Sequence, residues 1–180
     1  MTRGAKLAIV IAAGAGLIAG LAVRLAEWSQ PATPIASAAA AGVAGLMTAQ
    51  LPDTNGQKQT LEQWRGHVLV VNFWATWCAP CRQEIPEFIK VQEKWASHGV
   101  QVVGIALDDD DKVRPYAAQL KINYPILIAG FDGIELARQA GNRLGGLPFT
   151  VILNRKGGLA HTQLGGVNEQ RLEALVQPLL

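Results

Sequence analysis

The chain has 180 residues, of which 49% are hydrophobic, so one globular domain plus an N-terminal appendage can bury a full core without disulfide staples. Its formal net charge of +2, with Lys and Arg scattered along the sequence, excludes a nucleic acid or other polyanion as the expected partner. Cys78 and Cys81 are the only cysteines, and His67, His98 and His161 lie far apart, so the four-ligand spacing of a zinc site is missing and the pair reads as redox chemistry with no metal.

In chain order, Leu7 to Val23 is an uninterrupted apolar run, preceded by Arg3 and Lys6 and followed by Arg24 and Glu27. Its length of about 17 residues is short for a membrane span and long for a signal core. The nearest small-residue cleavage pattern, Ala36-Ser37-Ala38, lies well beyond it. Residues 1–28 therefore read as a single-pass anchor in the inner (cytoplasmic) membrane, with an uncleaved signal as the alternative. The N-terminus would face the cytoplasm and the remainder would be exported. Residues 29–45, with Pro31, Pro34 and a run of alanines, read as a linker.

A globular domain is expected over residues 46–180. It opens with a weak β-hairpin, Leu46 to Gln50 and Gln57 to Thr60, around Pro52-Asp-Thr-Asn-Gly56, followed by a helical turn from Leu61 to Trp64. His67 to Trp74 is an apolar run suited to a strand buried on both faces. After Trp77 the period changes to a helix, with Pro80 in its first turn, Pro86 inside and Gly99 at its end. Val100 to Leu107 is a second buried strand, joined to the first by a parallel crossover. The acidic run Asp108 to Asp111 reads as the solvated start of a helix through Val113 to Lys121, because acids favour that position and the run lacks the Gly and distant Glu of a calcium loop.

A third short strand is expected at Ile126 to Ala129, then a Gly130-Phe-Asp-Gly133 turn, a helix from Ile134 to Ala140 and a flexible approach from Gly141 to Gly146. Pro148 to Leu153 and Leu159 to Gln163 form a hairpin around Asn154-Arg-Lys-Gly-Gly158. A helix capped by Asn168 ends the chain. Alternating strands and helices followed by a hairpin and a helix give an α/β fold with a mixed central sheet flanked by helices.

The cysteines open a helix at the end of a core strand. Unpaired N–H groups and the positive end of the helix dipole favour the thiolate there, which makes Cys78 the expected nucleophile. Cys81, one turn on and on nearly the same face, is the expected resolving thiol. Trp77, with Ala79 and Pro80, is expected to form an apolar contact surface around Cys78, and Trp74 to be core.

The string Asn72-Phe-Trp-Ala-Thr-Trp-Cys-Ala-Pro-Cys-Arg82, with the later Gly146-Leu147-Pro148, resembles the thioredoxin superfamily, most closely the membrane-anchored TlpA/ResA-like thiol-disulfide oxidoreductases. The resemblance covers the chain from about Gly45 onward, and the early hairpin is similar to the addition TlpA-like proteins carry. It implies a thioredoxin fold and a redox-active Cys78–Cys81 disulfide in place of a cofactor. It also implies a cis Leu147–Pro148 bond facing that disulfide, with the Leu147 backbone free to pair with an extended substrate. The family usually has Thr after this proline, where this chain has Phe149.

Bare thioredoxin uses an acid in the strand, where this chain has Asn72. TlpA/ResA-like proteins carry a functional acid at the offset of Glu84, so Glu84 is the expected proton handler for Cys81. Substrates would be proteins with cysteine pairs, as in cytochrome c or cytochrome oxidase maturation, and a membrane protein would supply electrons. With Ala79-Pro80 between the cysteines, in place of the His of strong oxidants, the expected direction is reduction. A disulfide oxidase or isomerase is the alternative within the enzyme class, and a copper chaperone the alternative outside it. A peroxidase is disfavoured, because no Pro-x-x-x-Thr/Ser-x-x-Cys pattern precedes Cys78.

Overall fold

Seven consecutive residues, Val68–Trp74, are wholly buried and form the central strand of the molecule. A computed structural model describes residues 34–180 of the chain. The expected anchor, residues 1–28, lies outside the described residues. Among the described residues, no helix is long and apolar enough to cross a membrane.

In chain order the elements are α1 (Pro34–Thr48), β1 (Leu51–Pro52), β2 (Lys58–Gln59), β3 (Val68–Trp74), α2 (Ala79–Trp95), β4 (Val100–Ala106), α3 (Asp110–Gln119), β5 (Ile126–Ile128), α4 (Gly133–Gln139), β6 (Phe149–Leu153), β7 (Leu159–Leu164) and α5 (Glu169–Val176). The main sheet has the order β5-β4-β3-β6-β7. β3 runs parallel to β4 and antiparallel to β6, while β4 and β5 are parallel and β6 and β7 antiparallel. This is the expected mixed sheet.

Alternation along β3 divides the core in two. Val68, Val70 and Trp74 pack with Ile85, Phe88 and Val91 of α2, Val113 of α3, and Leu172, Leu175 and Val176 of α5. Leu69, Val71 and Phe73 pack on the other face with Val43, Leu46 and Met47 of α1 and Ala137 of α4. Gly104 of β4 makes room for Trp74, since a Cβ there would lie 3.0 Å from the indole Nε1 and 2.9 Å from Ile126 Cδ1.

Two expectations change at the N-terminal side. The Ala/Pro stretch read as a linker is helical from Pro34, and Leu46 to Thr48, read as the first hairpin strand, end that helix. Alanine is the strongest helix former. Val43, Leu46 and Met47, at i, i+3 and i+4, give the helix an apolar stripe that reaches the core. The hairpin is present but shorter and shifted, pairing Leu51 with Gln59 and Pro52 with Lys58.

Candidate active site

The chain leaves β3 at Trp74 and enters α2 through Ala75, Thr76, Trp77 and Cys78. Cys78 is the extended N-cap residue of α2, and its Sγ accepts the Cys81 N–H at 3.3 Å. That contact puts the Cys78 sulfur on an otherwise unpaired donor of the first turn, the electrostatic setting that stabilises a thiolate. Pro80 sits inside this turn, where it costs no backbone bond. The two cysteines are joined as a disulfide with Cα atoms 5.3 Å apart.

The two cysteines differ in access, Cys78 being 5% exposed and Cys81 0%. Cys81 is fully buried, whereas Cys78 lines a groove of about 420 Å³ with Trp77, Ala79, Pro80, Leu107, Phe131, Ile134, Gly145 and Leu147. Among the described residues, no charged side chain lines it. Trp77 is 60% exposed and Phe131 62%, so two large apolar surfaces stand in water beside the disulfide. Trp74 is buried, as expected.

The Leu147–Pro148 bond is cis, as the resemblance implies. Leu147 lines the groove beside Cys78. Its backbone N–H and C=O have no partner among the described residues. Pro148 itself is buried and its carbonyl accepts the Gly165 N–H at 2.9 Å. The approach expected to be flexible is tied down by Asn142, whose Nδ2 donates to the Gly146 carbonyl at 2.8 Å.

Glu84 lies one turn beyond Cys81 and is 3% exposed. Its Oε1 accepts Asn72 Nδ2 at 2.8 Å and its Oε2 accepts the Val167 N–H at 3.0 Å. Burial pushes the carboxyl up to about 7, against the two hydrogen bonds that favour the charged form. Near neutral pH such a group gives and takes a proton with equal ease. Asn72 also donates to Thr150 Oγ1 at 3.3 Å, linking β3, β6 and α2 in one polar network within the core. Burial likewise raises the Tyr124 phenol, which also feels the Glu84 charge.

Asp108 departs from its expected role. It is 1% exposed and accepts bonds from the Thr76 hydroxyl, the Thr76 N–H and the Asp109 N–H, with Lys112 Nζ at 3.6 Å. Burial raises its pKa, but these donors outweigh it and hold the group below the ordinary carboxylate range. The solvated helix start is confined to the residues after it, since α3 begins at Asp110. Asp108 follows the C-terminal end of β4, and β3 and β4 are parallel, so the acid meets the loop that leaves β3. The C-terminal ends of parallel strands are where sites assemble, and that rule was the available signal for Asp108. For Phe131 the signal was an apolar residue set between turn glycines. Among the described residues, no group of three or more His, Cys, Asp and Glu is placed to hold a metal.

The comparisons agree with this geometry. The Redoxin family profile matches residues 34–176. The thioredoxin-like protein YneN of Bacillus subtilis is 33% identical over 127 residues, covering 68% of this chain and 71% of the relative. The thiol-disulfide oxidoreductase ResA of Halalkalibacterium halodurans is 27% identical over 128 residues, covering 71% and 70%. A thiol:disulfide interchange protein of the thioredoxin family from Chlorobium tepidum superposes with a TM-score of 0.63 at 28% identity, over 73% of this chain and 95% of that one. With its Cys78–Cys81 pair at a strand-to-helix junction, the chain belongs to the Redoxin family, as a TlpA/ResA-like thiol-disulfide oxidoreductase of the thioredoxin superfamily.

Proposed function

We propose that the chain is a membrane-anchored, exported reductant of protein disulfides in which Cys78 attacks, Cys81 resolves and Glu84 handles the proton. The observation that carries this reading is the unequal access of the two cysteines, Cys78 lining an apolar groove while Cys81 is fully buried one helical turn before a carboxyl near neutrality.

In the reduced protein the Cys78 thiolate attacks a substrate disulfide; that S–S bond breaks, a mixed disulfide forms and one substrate thiolate leaves, taking a proton from solvent. Cys81 then gives its proton to the Glu84 carboxylate and attacks the Cys78 sulfur. The mixed disulfide breaks, the second substrate thiolate leaves and is protonated, and the Cys78–Cys81 disulfide remains. Two electrons and two protons have passed to the substrate in sum. An extended substrate segment lies across Trp77, Ala79 and Pro80 and pairs with the free backbone of Leu147. The uncharged lining favours a cysteine flanked by apolar residues.

The reducing direction rests on Ala79-Pro80, which place no cation beside the thiolate. A reductant in an exported compartment needs a membrane protein to supply electrons. Cysteine pairs in cytochrome c or cytochrome oxidase maturation are the substrates to which the family likeness leads. Equilibration of the full chain with glutathione tests the direction. A potential near that of thioredoxin, about −270 mV, supports it, and one near about −120 mV makes the protein an oxidase instead.

A further inference from the structure

Thr76 stands two residues before Cys78 and one before Trp77, and it is held on both sides. Its N–H donates to Asp108 Oδ2 at 3.1 Å and its hydroxyl donates to the same oxygen. Its carbonyl accepts Arg82 Nη1 at 3.3 Å, from the first turns of α2. Asp108 is brought there by the pairing of β3 with β4, which continues past the strands as the Leu107 N–H bonded to the Trp74 carbonyl at 2.8 Å. The second Asp108 oxygen is occupied by the Asp109 N–H at 2.8 Å and faces Lys112.

Burying a carboxylate this deeply is costly unless its bonds are made, and outside its own segment Asp108 grips Thr76 alone among the described residues. The next residue, Trp77, is 60% exposed, so packing does little to fix it. The bonds at Thr76 hold the backbone from which it projects.

We infer that Asp108 is a positioning residue which, through Thr76, fixes the backbone that carries Trp77, the wall of the groove beside Cys78. A wall held in place before substrate arrives removes part of the ordering cost of docking. The Asp108–Thr76 pair thereby acts on recognition of protein disulfides and not on the reactivity of the sulfur. This rests on the reading of the groove as the docking surface.

The experiment compares the reduced full chain with its Thr76→Val, Thr76→Ser and Trp77→Ala variants, using insulin as a protein disulfide and oxidised glutathione as a small one. Thr76→Val is expected to lose about tenfold in the second-order rate with insulin, the equivalent of one hydrogen bond. The glutathione rate should stay within about twofold and the Cys78 thiol pKa should hold, because neither depends on the wall. Thr76→Ser should restore the insulin rate. Insulin kinetics slowed by Trp77→Ala but untouched by Thr76→Val would overturn the clamp alone. An insulin rate untouched by Trp77→Ala would fail the docking reading and the clamp with it. Equal losses on both disulfides, or a moved thiol pKa, would place the effect on the sulfur and overturn the inference. Should Thr76→Val not fold, Asp108→Asn, which keeps an acceptor for Thr76 and loses the charge, is expected to show the same contrast between substrates with a smaller loss.

Discussion

Replacing Glu84 with Gln removes a charge that the folded chain accommodates poorly. An ordinary Glu carboxyl titrates at 4.5, and this one, 3% exposed, is raised to about 7. Between those values the folded chain holds a proton that the unfolded chain has released, so stability falls as pH rises through the window and levels off above about 7. At 1.36 kcal/mol per pKa unit the interval corresponds to about 3 kcal/mol. A carboxamide resembles the protonated carboxyl in shape, so Glu84→Gln should match the parent at pH 4.5 and exceed its stability by about 3 kcal/mol at pH 8. Urea unfolding of the disulfide-bonded protein, measured from pH 4.5 to 8, gives the difference directly. The acids held below their ordinary range, Asp53, Glu87, Asp108, Glu135 and Glu173 among the described residues, contribute stability that is lost only as pH falls through the acid end of the range and are common to both proteins. Parallel pH profiles, with a constant difference between variant and parent, would show that Glu84 ionises normally and would refute the reasoning.

The same substitution should slow closure of the Cys78–Cys81 disulfide near neutral pH by about a hundredfold, the lower end for loss of a general base, as read by stopped-flow quenching of a mixed disulfide. Gly104→Ala should destabilise the domain by about 1–3 kcal/mol, since the added methyl meets the fixed Trp74 indole; thermal unfolding reads it. Asn168→Ala should cost about 1 kcal/mol by removing the cap in which Asn168 Oδ1 accepts the Arg171 N–H at 2.9 Å, measured by denaturant midpoint.

What the sequence made legible was local and periodic. β3 shows as an unbroken apolar run, α2 as a change of period after Trp77, and α5 by its Asn168 cap. The cis bond before Pro148 came from resemblance, since X-Pro alone carries only a weak bias. α1 was missed because its stripe has only Val43, Leu46 and Met47 against a background of alanines, and that composition reads equally as a linker. Asp108 was hidden in a row of four acids, where only the register of β4 against β3 decides which one turns inward. The Glu84 site was half visible. Its offset from Cys81 pointed to the acid, but the Val167 N–H that fixes its second oxygen comes from 83 residues away in sequence. The groove, likewise, brings Phe131 and Ile134 to Cys78 from beyond two further strands.

The division of labour between the sulfurs is tested most directly by mass spectrometry of Cys81→Ser and Cys78→Ser after a single exposure of each reduced variant to a protein disulfide. Cys81→Ser should accumulate a mixed disulfide at Cys78, because the attacking sulfur faces the groove and the resolving one is gone, while Cys78→Ser should form none. Trapping at Cys81 in Cys78→Ser, with none at Cys78 in Cys81→Ser, would contradict the account.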